Sequence, residues 1–224
     1  MKRYESALAS AASKVGTAGK KTAEEYAEHA IPDEPTFSAA LVTRLKDALT
    51  GYSKGGITWN GKILSSHGPG TEESKIGADI LGALSLNLPG YSVRKGFLAQ
   101  AKRQEPGKAL GNREWTRLRD QCDLMLKFSP ESFVFVYSLN GVFVVPAIGV
   151  VACVGVEDLH TLHPMTLSSF YKEHFMCFVG DRRITAATKT ILDSLLARVA
   201  YEFYASTPEE QDLFAASPSP RKHT

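Results

Sequence analysis

The chain has 224 residues, 43% of them apolar and 22% charged, with a formal net charge of +2. That length suits one ordinary domain and the apolar share can fill a sizeable core, so wholesale disorder is excluded. No run of about 18 uncharged apolar residues occurs, which argues against a membrane helix, and the unpaired spacing of Cys122, Cys153 and Cys177, with no signal-like N-terminus, points to a reducing, cytoplasmic setting.

In chain order, residues 1–32 are small and alternately charged, and their apolar pattern is too thin to cover a core. They are expected to form a loosely attached helical or partly ordered arm. A helix beginning at Pro35 carries Phe37, Ala40, Leu41, Leu45, Ala48 and Leu49 on one face and stops near Gly51. Residues 56–65, 76–86 and 92–103 read as three strands of a meander, separated by the turn-rich 66–70 and by Pro89-Gly90. Trp115, Leu118, Cys122 and Met125 recur at helical spacing and predict a helix over 113–127. Two β-forming runs follow, 132–138 and 142–154, with Asn140-Gly141 as a hairpin signal between them. Leu192, Leu195, Leu196, Val199 and Phe203 predict a last long helix, and 206–224 form a tail. The alternation gives an α/β fold, a mixed central β-sheet flanked by helices, in one domain over 33–205. The apolar run 142–154 and the aromatics Phe170, Tyr171, Phe175 and Phe178 exceed the obvious needs of a small sheet; they read either as core or as part of an interface.

The residues that carry chemistry lie around the second and third strands. Side chains alternate along a strand, so Gln100 and Lys102 share one face while Phe97, Ala99 and Ala101 share the other. Asp79 projects opposite to Ala78 and Ile80, and antiparallel pairing would bring it to Gln100 and Lys102. A carboxylate, an amide oxygen and an ammonium together suit phosphodiester hydrolysis. A hard cation such as Mg2+ takes oxygen ligands, lowers the pKa of bound water and withdraws charge from a phosphoryl group. An ammonium orients that water and stabilises the pentacovalent transition state. The same residues also fit the solvated face of an edge strand, where lysine is common.

Asp79, followed after twenty residues by Gln100-Ala101-Lys102, resembles the PD-(D/E)xK motif of the restriction-endonuclease-like nucleases in its QxK form. The resemblance covers roughly 33–155 and implies a restriction-endonuclease-like core with Asp79, Gln100, Lys102 and Glu34 as the catalytic set. Asp79, Gln100 and Glu34 would hold Mg2+ or Mn2+, Lys102 would attend the attacking water, and Gln121 would support the site from the helix over 113–127. Ala78 stands where the motif has proline, and an amide replaces the usual acid. Glu73 is a rival to Glu34, which also suits a helix start in its own right. The resemblance further implies a DNA endonuclease, an effector of restriction or antiphage type, controlled by self-association or by a regulatory or sensor partner. The alternative is a catalytically inactive subunit of the same fold that binds nucleic acid or a partner protein.

Charge distribution agrees with a polyanionic substrate. Residues 91–121 carry a net +5, and Arg103, Lys108, Arg113 and Arg117 are the candidates for contacting a DNA backbone; a solvated helix face is the other reading. His160-x-x-His163 and His174-x-x-Cys177 have zinc-like spacing, but Pro164 follows His163 directly and Cys177 opens a short strand and turn, so metal is expected at Asp79 instead.

Overall fold

The computed structural model describes residues 2–28, 31, 33–65, 78–153, 155, 157–188 and 197–208. After a short 3-10 turn the elements are α1 (Glu5–Ala27), α2 (Glu34–Leu49), β1 (Ser53–Lys54), β2 (Ile57–Ser65), β3 (Ile80–Leu88), β4 (Tyr91–Arg103), α3 (Asn112–Phe128), β5 (Ser132–Ser138), β6 (Gly141–Pro146), α4 (Ala147–Ala152), β7 (Met165–Thr166), α5 (Leu167–Phe175) and β8 (Val199–Ser206). The eight strands form one sheet in the order β1-β2-β8-β3-β4-β5-β6-β7. β8 runs parallel to β3 and β4 parallel to β5, while the other neighbours are antiparallel. The expected mixed sheet flanked by helices is therefore present.

Period-two alternation distributes the core. Phe97, Ala99, Ala101, Phe135 and Tyr137 face α1, α2 and α5, whereas Leu98, Val134 and Val136 face α3 and α4. Every residue of β5 is buried, as a central strand covered on both sides requires. Among the described residues no helix is long and apolar enough to cross a membrane.

Five expectations need correction. The strands of 56–65, 76–86 and 92–103 are not a meander, because β8 lies between β2 and β3 and only β3 and β4 are direct neighbours. The N-terminal stretch is not loosely held: Leu8, Ala11 and Val15 on α1 are fully buried in the same core as α2 and α5. Its small residues let the helices meet closely, since a Cβ on Gly16 would lie 2.7 Å from Ser168 Cβ and one on Gly19 2.5 Å from Leu167 Cδ2. The run 142–154 is a strand only as far as Pro146 and then turns into α4. The β5–β6 hairpin turns at Leu139-Asn140, with Ser138 opposite Gly141, one residue earlier than its sequence signal. Val199 and Phe203 lie in β8, not in a helix: a strand inserted between β2 and β3 is apolar on both faces, so its periodicity fits either reading. Leu192, Leu195 and Leu196 lie outside the described residues, as does Glu73.

Phe170, Tyr171 and Phe175 are fully buried around Phe97, with Phe170 4.9 Å from it edge-on, so these aromatics are core; Phe178 stays 76% exposed. One feature of the sheet positions everything that follows. β3 begins at Ile80 opposite Ala99, but β4 continues to Arg103 on β5 alone.

Candidate active site

Along β4 the even-numbered backbone groups bond toward β5, as in Leu98 N–H to Glu131 O and Gln104 N–H to Tyr137 O, leaving the odd-numbered ones to face β3. Beyond Ala99 no β3 residue is paired with β4, so the amides of Ala101 and Arg103 need acceptors from elsewhere. Two carboxylates supply them. Asp79 Oδ2 accepts from Ala101 N–H at 3.2 Å, and Glu34 Oε2 accepts from Arg103 N–H at 2.9 Å. These anchor points lie about 6.6 Å apart along the strand. Side chains from β3's leading edge and from the start of α2 thus converge where a neighbouring strand would have run.

Local structure explains both placements. The Asp79 backbone is tied on two sides, its N–H to Ala99 O at 3.0 Å and its carbonyl accepting from Arg198 N–H and Val199 N–H at 3.0 and 3.1 Å. Glu34 opens α2 beside Pro35, after Asp33 caps the helix by accepting from Thr36 N–H at 2.8 Å. Both acids line a cavity of about 400 Å³ together with Ser38, Ala101 and Arg198. Beneath it the buried Tyr137 hydroxyl bonds Ser38 Oγ at 3.0 Å.

Gln100 completes the centre from the α3 side of the sheet. It is 6% exposed, and its Nε2 donates to Asp79 Oδ2 at 2.5 Å. A carboxylate only accepts, so the amide must turn its nitrogen toward it. Gln100 Oε1 is then left buried without a hydrogen-bond partner among the described residues, a costly state for an acceptor. Arg198 places Nε 3.2 Å from Asp79 Oδ1.

The electrostatics follow from this crowding. Burial pushes the Asp79 carboxyl up from its ordinary value, opposed by Arg198, the Ala101 amide, Arg117 and Gln100. Burial raises Glu34 as well; the Arg103 amide and Lys102 oppose the rise and the Asp79 charge adds to it. Two ionisable acids thus share a poorly solvated spot in which each disfavours the other's charge.

Of the residues expected from sequence, Asp79 is brought to Gln100 by a hydrogen bond and to Glu34 across the cavity, Gln100 and Glu34 approaching it from opposite faces of the sheet. Lys102 is not in contact with Asp79; its Nζ pairs with Glu114 Oε1 at 2.9 Å at the start of α3. Gln121 is half-buried on α3, outside the cavity lining. Arg113 and Arg117 are exposed on the same helix, and the charge of Arg117 reaches Asp79. Arg103 and Lys108 border a second cleft. Arg198 was not foreseen, because its segment read as a helix and the burial of β8 on both faces leaves no clear alternation from Val199 onward to place it at a strand start beside Asp79.

The donor set fits a hard cation. The two carboxylates are oxygen ligands of the kind Mg2+, Mn2+ and Ca2+ take, with water or a substrate oxygen to fill the remaining positions, and a turned Gln100 amide would add a third oxygen beside Asp79. The zinc-like residues do not form such a set: His160 Nε2 bonds Gln104 O at 2.9 Å and His174 Nδ1 bonds Val179 O at 3.0 Å. No group of three or more His, Cys, Asp or Glu residues arranged for a metal occurs among the described residues. Comparisons with protein-family models, with curated proteins and with solved structures find no match to this chain.

Proposed function

We propose that the protein is a metal-dependent nuclease of the restriction-endonuclease-like kind, hydrolysing phosphodiester bonds of DNA. The observation that carries the reading is the convergence of Asp79 and Glu34 on one strand end, with the Gln100 amide bonded to Asp79 and Arg198 beside it. Asp79, Glu34 and Gln100 would hold Mg2+ or Mn2+, which when bound supplies positive charge to the phosphoryl group and acidifies water. Arg198 stands at the same cavity and offers a guanidinium to a non-bridging phosphate oxygen. Lys102, two residues beyond Gln100 on β4, would orient water and offset the charge that develops on the phosphoryl oxygens. The basic face of α3 gives the flanking backbone a track.

A second reading has its own observation. Lys102 is paired with Glu114 rather than turned to Asp79, which favours a subunit that keeps the fold and binds nucleic acid without cutting it.

One assay separates the two. Circular and linear DNA are incubated with the protein in Mg2+, Mn2+ or Ca2+, beside Asp79→Ala and Lys102→Ala variants shown by melting to be folded. A nuclease cuts in Mg2+ or Mn2+, binds without efficient cutting in Ca2+, and loses at least about a hundredfold in rate in either variant. Binding without cutting by the wild type in every metal selects the inactive subunit. Wild-type rates in both variants overturn the assignment of the site.

A further inference from the structure

The cavity at Asp79 meets β4 at Ala101; the next odd-numbered residue, Arg103, borders a larger cleft of about 700 Å³. Its walls include Tyr26 near the end of α1, Ile31, Arg103, Lys108, Leu110 and Leu139. Glu34 joins the two spaces, since its carboxylate faces the first and holds the backbone amide of Arg103 in the second.

The walls of this cleft differ in kind from the acidic site. The Arg103 guanidinium lies 5.8 Å from the centroid of the Tyr26 ring, and Tyr26 is braced edge-on by Phe37 at 5.6 Å. A planar cation backed by an aromatic ring is a platform on which a nucleobase stacks, whatever its identity. The Gln104 amide and the Glu105 carboxylate, which border the cleft, are occupied. Gln104 Nε2 donates to Lys108 O and Glu157 O at 2.7 and 2.8 Å, and its Oε1 accepts from Leu159 N–H at 2.9 Å. The Glu105 carboxylate holds Leu139 N–H at 3.1 Å. These bonds fix the loop after β4 and leave neither the Gln104 side-chain amide nor the Leu139 N–H to read a base edge. Exposed Lys108 adds charge for a neighbouring phosphate.

We infer that this cleft holds one unpaired nucleotide adjacent to the phosphate addressed by Asp79 and Glu34, so that the substrate is single-stranded or locally unpaired nucleic acid, taken with little base preference. The inference rests on the nuclease reading and names its substrate class. A volume of about 700 Å³ is in the range of small-ligand pockets. A base stacked within a duplex reaches such a concave site only by leaving the stack, which costs a few kcal/mol that an unpaired strand does not incur.

The test is equilibrium binding in Ca2+ buffer, by fluorescence anisotropy, of one oligonucleotide sequence as a single strand and as a duplex. The probes are wild type and Arg103→Lys, which keeps the charge and removes the planar stacking surface; because the Arg103 side chain is exposed, the variant's melting curve should overlay wild type. Wild type is expected to bind the single strand about tenfold tighter than the duplex. Arg103→Lys should lose about tenfold on the single strand alone, within the about 5- to 150-fold that one stacked base supplies. A fluorescent base analogue in the strand should be quenched by wild type and not by the variant. Equal affinity for both forms, unchanged by Arg103→Lys, in a protein that still cuts DNA would overturn the cleft assignment and leave the nuclease reading standing. Failure of wild type to bind either form would overturn both.

Discussion

Adding Ca2+ to the protein at neutral pH is expected to raise its melting temperature, and the size of the rise follows from the donors at the strand end. Two carboxylates and one amide oxygen are fewer charged ligands than tight Ca2+ sites use, which places the dissociation constant at about 0.1–1 mM. At about 10 mM cation, binding to the folded state alone then contributes about 1.4–2.7 kcal/mol. A domain of this size moves about 2–4 °C per kcal/mol, so the rise is about 3–11 °C. Asp79→Asn and Glu34→Gln should each remove most of it, and the double variant should move by less than about 1 °C. Gln100→Glu should enlarge it, because a third carboxylate replaces the neutral oxygen. The sign with pH is fixed by burial: both carboxyls are pushed up, so protons compete with the cation and the rise shrinks as pH falls through their raised values. The measurement is a fluorescence melt in chloride salts of matched ionic strength. A wild type that shifts no more than the double variant in Ca2+, Mg2+ and Mn2+ would refute the claim that these three residues form a cation site.

Without divalent cation, the raised carboxyls mean that the folded state binds more protons than the unfolded one just above the ordinary carboxylate range, so stability should fall as pH rises through that window. Asp79→Asn should flatten this dependence in urea melts at several pH values, and an unchanged slope would show that burial does not penalise the charge. Asp181 works in the opposite sense: Arg183 and Ser129 hold it at about 2, and its contribution should be lost only as pH falls from the ordinary carboxylate range toward that value. Replacing Arg113 and Arg117 together by alanine should reduce the slope of log K against log salt for DNA binding by roughly two, and an unaltered slope would mark that helix face as mere solvated surface. Leu8→Ala should cost about 2.7–5 kcal/mol in a denaturant melt, because Leu8 is fully buried; a change below about 0.5 kcal/mol would show α1 to be dispensable to the core.

Elements whose pattern admits one period were legible in the sequence. α2 and α3 show apolar residues at helical spacing with polar faces opposite, and β4 shows Phe97, Ala99 and Ala101 against Gln100 and Lys102. The elements that misled are those in which burial is more complete or side chains are smaller. α1 packs through alanine and glycine, residues with little hydrophobic signal, and its strength lies in close approach to α5. β8 is covered on both faces, so polar residues do not mark its period. The meeting of Asp79 with Gln100 was expected from antiparallel pairing of the two strands, although Asp79 precedes β3 and Ala78 and Ile80, expected on one face, fall on opposite sides of the sheet; the partner of Lys102 was not expected, because Glu114 reaches it from a helix whose docking no local pattern encodes. Arg198 was hidden for the same reason as β8, since a residue assigned to a helix has no predictable place beside Asp79.

Capping two backbone amides does not by itself account for the Asp79 and Glu34 site. A strand end that lacks a neighbour needs acceptors for the amides of Ala101 and Arg103, and asparagine and glutamine would serve with no charge to bury. Carboxylates at both positions cost more, because each is desolvated and each raises the energy of the other's ionised form. The Gln100 amide relieves Asp79 by donating its nitrogen, but in doing so strands its own oxygen in the same buried region. Arg198 is the nearest compensating charge, and its side chain is 60% exposed, which weakens the pairing. The result is two desolvated carboxylates at a cavity and, on the other face of the strand, a buried amide oxygen without a partner among the described residues. On the proposed reading a divalent cation is what would resolve this conflict, since it would offset the burial of both carboxylates and cancel the repulsion between them.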